Sequence, residues 1–179
     1  MGRRAVVYLL LVGCALAACG SRPHGPDADP AVDWAEQVCA RVETGAATLA
    51  QPPSVDLNDP QRARDGMVGY LERLSTALDS VASGLRGAGS PPVVDGQAAV
   101  DKAMATIGES KTAVDAARDR LRQAPVTDPA SFQRAVADVG AGMAKLGDAQ
   151  GPTKDLTANP ALRKAFDQAP TCRRLDGAA

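Results

Sequence analysis

Aromatic residues and histidine are scarce in this sequence of 179 residues. It holds one tryptophan, two tyrosines, two phenylalanines and one histidine, so aromatic platforms that stack the bases of single-stranded nucleic acids are not expected. The histidine, His24, lies in a segment rich in proline and glycine, whereas zinc sites and nucleophile–base pairs need histidine inside a folded domain. We therefore predict no catalytic residues, no metal ligands, no cofactor and no nucleic-acid partner.

A strong net charge is absent as well. The chain has 20 basic and 21 acidic residues and a formal charge of −1. Proteins that bind nucleic acids or anionic membranes by charge carry clustered basic residues, and no such cluster occurs here. Acidic residues such as Asp119 alternate with basic residues such as Arg122, which is typical of solvent-exposed helix faces. The carboxylates therefore do not single out a catalytic pair.

The longest hydrophobic run lies at the N-terminus. Arg3 and Arg4 precede an apolar run over residues 5–15, and this order is that of an export signal peptide. The run is shorter than the roughly 20 apolar residues that a transmembrane helix needs. An uncleaved transmembrane helix is therefore the less favoured alternative.

The apolar run ends in Leu16-Ala17-Ala18-Cys19, which resembles the lipobox of bacterial lipoproteins. In that family the cysteine thiol receives a diacylglyceryl group, and cleavage before the cysteine makes it the first mature residue. The resemblance implies a signal peptide over residues 1–18, cleavage between Ala18 and Cys19, and lipidation of Cys19. It also implies a location on the extracytoplasmic face of the cell membrane. An ordinary secretory signal, cut near Ala17 or Ala18, is the alternative.

The lipobox interpretation divides the four cysteines of the chain. Cys14 leaves with the signal peptide and Cys19 carries the lipid, so only Cys39 and Cys172 remain. Outside the cytoplasm a disulfide between two cysteines persists. We predict a Cys39–Cys172 disulfide, and two free thiols are the less favoured alternative.

Residues 19–31 are rich in proline and glycine and show no apolar periodicity, which predicts a flexible tether. The remaining residues, 32–179, are numerous enough to form one domain with its own hydrophobic core. We therefore divide the chain into a signal peptide, a tether and one domain.

Helix starts are marked by an acidic or amide residue before proline, a pattern that places a capping side chain before proline at the first helical position. It occurs at Asp29, Asp59, Asp128 and Asn159, and Asp95 is a candidate for a fifth cap. Proline- or glycine-rich breaks separate the segments that follow these caps. The predicted helices lie near residues 30–50, 60–87, 95–123, 129–148 and 160–169.

Apolar residues recur every three or four positions in these segments, and the connections between them are short. This heptad-like pattern favours an antiparallel bundle. We predict an all-α fold in which an up-and-down four-helix bundle carries a short fifth helix at its C-terminus. In that topology the fifth helix starts near the beginning of the first, and the Cys39–Cys172 disulfide joins the two.

Trp34 stands just before the apolar stripe of the first predicted helix. It could pack in the core against the fifth helix, where Phe166 is the candidate neighbour. It could instead contact a membrane interface or a partner protein. Because large aromatic side chains are usually buried, we favour the packing contact.

The lipobox, the Trp34 and Cys39 start of the first helix and the ending Ala169–Cys172 resemble small secreted helical lipoproteins of actinobacteria. This resemblance implies little chemistry, because such proteins mostly lack an assigned activity. We expect a lipid-anchored, non-enzymatic binding or accessory component of the cell envelope. The alternative is a carrier for a small apolar ligand held around Met67, Met143 and the small residues of the third helix, which are Ala103, Ser110, Ala117 and Ala124.

Overall fold

Seven α-helices form the part of the chain that this computed structural model describes, namely residues 29–47, 49–50, 52–53, 55–148 and 151–177. No β-strand occurs within those ranges, and the predicted all-α class is confirmed. Ala18, Cys19 and most of the predicted tether lie outside the described residues. The helices are α1 (Pro30–Ala47), α2 (Pro60–Ala88), α3 (Gly96–Gln123), α4 (Pro129–Asp148), α5 (Gly151–Thr157), α6 (Pro160–Gln168) and α7 (Pro170–Asp176).

Four of the five predicted helix caps are confirmed. In each, the side chain accepts a hydrogen bond from a backbone N–H two or three residues ahead, which satisfies a donor that the helix itself leaves unpaired. These caps are Asp29, Asp59, Asp128 and Asn159. Asp95 occupies the predicted position before α3, but its backbone is left-handed (φ 56°) and its side chain makes no capping hydrogen bond, so the predicted side-chain cap was wrong. The turn before α3 is closed by the backbone instead, where the N–H of Gly96 donates to the carbonyl of Val93 at 3.1 Å.

The segment after α4 differs from the prediction of a break, because residues 151–157 form the short helix α5. Leu156 and Asp155 of this helix are buried. Thr106 of α3 donates its hydroxyl to the Asp155 carboxylate at 2.5 Å, and the Lys102 ammonium lies 3.1 Å from that carboxylate. Seven residues are too few for helical periodicity to be recognised, so contacts with α3 define this element.

The predicted fifth helix, residues 160–169, is present as α6, but the chain after it differs from the prediction because a further helix, α7, follows. Pro170 restricts the residue before it to extended backbone. Ala169 accordingly has ψ 122° and interrupts the helix, and Pro170 occupies the first turn of α7. Cys172 therefore lies on a separate helix rather than just beyond the end of α6.

Helices α2 and α3 run antiparallel, because Arg122 pairs with Glu72 near one end while Lys111 pairs with Asp79 farther along. The largest core cluster lies at the end of this pair where α2 finishes and α3 begins. It includes Trp34, Leu85, Ile107, Leu156, Leu162 and Phe166. A second cluster, which includes Val68, Val114, Leu121 and Val139, lies toward the other end and joins α2 and α3 to α4. Helices α1, α5, α6 and α7 therefore pack against the α2–α3 pair at the end where α2 finishes and α3 begins.

Candidate functional site

The Cys39–Cys172 disulfide joins α1 to α7, with an S–S distance of 2.09 Å and a Cα–Cα distance of 5.2 Å. The predicted pairing is confirmed. Both cysteines are buried and belong to the largest core cluster. The covalent bond therefore holds the last helix of the described chain against the first.

Side chains of α1 also contact α7 on either side of this bond. The Glu36 carboxylate accepts the backbone N–H of Thr171 at 2.9 Å and accepts the Thr171 hydroxyl as well. One helical turn farther on, Arg174 lies 3.4 Å from Glu43. Glu36 thus caps the N-terminus of α7 from a different helix, beside Cys172.

A cleft of about 410 Å³ lies next to the disulfide, between α1, α2, α5, α6 and α7. Both cysteines contribute to its wall. Its volume falls within the range of about 300–1,000 Å³ that small-ligand sites occupy. The apolar part of the wall includes Val38, Val42, Val81, Leu85, Leu156 and Phe166.

Three charged side chains also line this cleft, namely Arg163, Asp167 and Asp176. The Nε–H of Arg163 donates to the backbone carbonyl of Thr157 at 2.9 Å. Asp167 and Asp176 are exposed, and neither pairs with a basic side chain of the residues that the structure describes. The cleft therefore combines an apolar wall with two unpaired carboxylates and one guanidinium.

Trp34 forms part of the core behind the cleft and is 4% exposed. Its ring packs edge-to-face on Phe166, with the ring centroids 6.2 Å apart, and its indole N–H donates to the carbonyl of Gly89 at 3.0 Å. Phe166 is the residue that we expected beside it. Because the tryptophan is buried, it is not placed to contact a membrane or partner in this arrangement.

The ligand position expected at Met67, Met143 and the small residues of the third helix does not form one site. Met67 and Met143 pack against the second core cluster, of which Ala117 is a member. Ala103 belongs instead to the cluster around Trp34. The apolar cleft beside the disulfide lies elsewhere, and no single sequence motif marks it.

A serine–lysine pair is present between α2 and α3. The Lys111 ammonium donates to the hydroxyl oxygen of Ser75 at 2.6 Å, and that hydroxyl donates to Asp115 at 2.9 Å. A serine nucleophile needs a neutral base beside it. Hydrogen bonds to Asp79 and then to Asp115 raise the pKa of Lys111 above its ordinary 10.5. Lys111 is therefore protonated at neutral pH and does not act as that base here.

The neighbouring carboxylate is held in its ionised form. Burial alone would raise the pKa of Asp115, but hydrogen bonds from Ser75 and Lys111 and the nearby charges of Lys111 and Arg118 hold it below 3.8. Arg118 contacts Asp115 at 2.9 Å. The arrangement is a network of ions and hydrogen bonds between two helices, and Ser75 at its centre is 5% exposed.

Among the residues that the structure describes, no three histidine, cysteine or acidic side chains converge in a way that could hold a metal ion. Nor does any helix of the described part have the length and apolar character needed to cross a bilayer.

Sequence reasoning missed Glu36, Asp155 and the two carboxylates of the cleft. The segment Pro170–Asp176 does carry a helix-start signal, because proline is favoured in the first turn. Glu36 lies three positions before Cys39, on the same face of a helix, so it could have been placed near the disulfide. No sequence signal shows that Asp167 and Asp176 share a cleft.

Comparison of the chain with protein-family models, with curated proteins and with solved structures finds no match in any of the three.

Proposed function

We propose that this protein is a lipid-anchored binding or accessory component of a bacterial cell envelope, held on the extracytoplasmic face of the membrane through Cys19. It performs no enzymatic step in this proposal. Its partner is an envelope protein or a small apolar ligand, and its domain stands away from the membrane on the tether of residues 19–31.

The observation that carries the proposal is the Cys39–Cys172 disulfide. Structural disulfides persist in oxidising compartments and are rare in the cytoplasm. Export supplies such a compartment, and the order of basic residues, apolar run and Leu16–Cys19 in the N-terminal sequence supplies a route to it. The two features support the same location independently.

The proposed architecture is an up-and-down bundle of α1 to α4, with the C-terminal helices packed on α1. Trp34 of α1 lies beside Gly89 while Gly45 lies beside Ala77, so the start of α1 meets the end of α2. This direction, together with the antiparallel α2–α3 pair, supports alternation along the chain. Cross-links between cysteines introduced at neighbouring helix ends would test the order.

The absence of an enzymatic step is supported by the state of the serine–lysine pair. Lys111 is bonded to two carboxylates, and its raised pKa opposes proton abstraction from Ser75. Ser75 is also almost fully buried, so a substrate has no access to its hydroxyl. The pair contributes to helix packing in this proposal.

Membrane attachment is tested by comparing the native chain with Cys19→Ala, and Cys14→Ala serves as the matched control. Both the native chain and Cys14→Ala are expected in the membrane fraction and should incorporate labelled palmitate. Cys19→Ala should not incorporate the label, and the mature, membrane-anchored form of the protein should be missing from its membrane fraction. An unchanged, labelled membrane pool of Cys19→Ala would contradict the anchor.

A second candidate function is that of a carrier for a small apolar ligand. The observation that favours it is the apolar cleft of about 410 Å³ beside the disulfide. Ligand sites are typically concave and mostly apolar, with a few polar groups that orient the ligand. Mass spectrometry of the protein purified from its native membrane, with and without Val81→Phe in the cleft wall, tests for a retained small molecule.

A further inference from the structure

We infer that the cleft beside the Cys39–Cys172 disulfide binds an apolar molecule that carries a basic amine. The apolar body occupies the space between α1, α2 and α5, and the ammonium group faces the carboxylates of Asp167 and Asp176. This inference rests on the carrier function proposed above and specifies the chemistry of its ligand.

The apolar part of the inference follows from the wall of the cleft. Valines of α1 and α2 line it together with Leu156 of α5 and Phe166 of α6. Leu175 of α7 adds a further apolar side chain, and the disulfide holds that helix in place. A ligand that enters this space removes its own apolar surface and that of the wall from water, which favours binding.

The charged part follows from the groups that line the same cleft, which are Asp167, Asp176 and Arg163. The two carboxylates have no basic partner among the described residues. The guanidinium of Arg163 already donates to the Thr157 carbonyl. The charge inside the cleft is therefore negative on balance, and a cation is attracted more strongly than an anion of the same shape.

The carboxylates are exposed, so the attraction is screened by water and is modest. Exposed ion pairs of this kind change affinity by roughly two- to fivefold each. We expect the apolar chain to supply most of the affinity and the ammonium to supply the preference. The ligand class is thus tested by comparing the affinities of compounds that share one alkyl chain and differ in their head group.

The test uses the full-length chain carrying Cys19→Ala, so that its outcome does not depend on acylation. It is titrated calorimetrically with decylamine, decanol and decanoate below the concentrations at which these aggregate. Decylamine should bind several-fold more tightly than decanol, and decanoate should bind most weakly. In the double variant Asp167→Asn/Asp176→Asn the three affinities should converge to within about threefold.

Asp138→Asn controls for the loss of a surface carboxylate, because Asp138 is exposed on α4, away from the cleft. It should retain the preference for decylamine. Val81→Phe and Val42→Phe each place a ring in the cleft and should abolish binding. The result is read from a variant that keeps the melting temperature of the parent chain, because that variant is still folded. Two positions are used because overpacking can destabilise a core.

The inference is overturned if none of the three compounds binds, or if decanoate binds as tightly as decylamine. It is also overturned if a folded cleft-filling variant binds decylamine unchanged. These outcomes leave membrane attachment untouched, because attachment is read from the fractionation of Cys19→Ala and Cys14→Ala. Conversely, if the fractionation contradicts the lipid anchor, the affinities measured on the Cys19→Ala chain are unaffected.

Discussion

Glu36 and Thr171 lie 135 positions apart in the sequence and meet at the first turn of α7, where the glutamate carboxylate accepts the threonine N–H at 2.9 Å. Ala169, the N-cap residue that precedes this helix, offers no capping side chain. Glu36 of α1 supplies the missing acceptor, and its negative charge suits the positive end of a helix. Because Thr171 directly precedes Cys172, this contact and the disulfide stabilise the same position of α7.

Glu36→Ala is expected to lower the free energy of unfolding of the oxidised protein by about 1 kcal/mol, as the loss of a helix cap does. Glu36→Gln keeps an acceptor oxygen and should lose less. Urea unfolding followed by circular dichroism measures both. Equal midpoints for the native protein and Glu36→Ala would show that the cap contributes nothing.

Replacement of both cysteines, Cys39→Ser/Cys172→Ser, should lower the free energy of unfolding by about 2–5 kcal/mol. The reason is the long loop that the disulfide closes, with a sequence separation of 133, which restricts the unfolded chain. Guanidinium unfolding of the native and double-variant proteins tests this. Two titratable thiols in the denatured, non-reduced native protein would contradict the bond itself.

Trp34→Ala should cost about 3–5 kcal/mol, because it removes a buried ring that packs on Phe166. Trp34→Phe keeps an aromatic ring but loses the indole N–H that Gly89 accepts, and about 1 kcal/mol is expected for that loss. Denaturant unfolding of both variants separates packing from hydrogen bonding. A Trp34→Ala protein as stable as the native one would place this side chain outside the core in solution.

Asp155 predicts a dependence of stability on acid pH. The hydrogen bond from Thr106 is the main cause that lowers its pKa, and Lys102 and Lys154 lower it further. Together they outweigh the effect of burial, which raises the pKa, so the value in the folded protein lies below 3.8. The stabilisation is therefore present above about pH 4 and is lost as pH falls through the folded pKa. Asp155→Asn should lower the free energy of unfolding at pH 7 and reduce its fall in acid.

The control for this prediction is Asp138→Asn, which changes an exposed carboxylate on α4. Its unfolding curves, measured from pH 7 to pH 2, should follow those of the native protein closely. If Asp155→Asn gives the same pH profile as the native protein, then the Thr106–Asp155 contact does not couple folding to protonation.

Local signals were sufficient for most helix starts. Asp59, Asp128 and Asn159 each cap a helix where proline follows, because a capping hydrogen bond spans only two or three residues and depends little on the rest of the fold. Asp95 fails by the same standard. Its turn must also bring Gly96 close to Pro91, a contact that the sequence does not reveal.

The disulfide was predicted from the number of available cysteines rather than from the distance between them. The lipobox resemblance implies that Cys14 leaves with the signal peptide and that Cys19 carries the lipid, which leaves Cys39 and Cys172 as the only pair. The structure contains that bond. The separate helix α7 was less accessible, although Pro170 carried the relevant signal. Its first turn is capped by Glu36, a residue on another helix.

The sequence by itself determined the helical class, most helix starts and the pairing of Cys39 with Cys172. The class follows from apolar periodicity, the helix starts from local capping residues, and the pairing from the small number of cysteines. Only the tertiary structure decided that residues 151–157 are helical, that Glu36 caps α7, and that Asp167 and Asp176 line one apolar cleft. The physical reason is that these features arise from contacts between helices distant in sequence. Their energies exceed the weak local preferences of short segments.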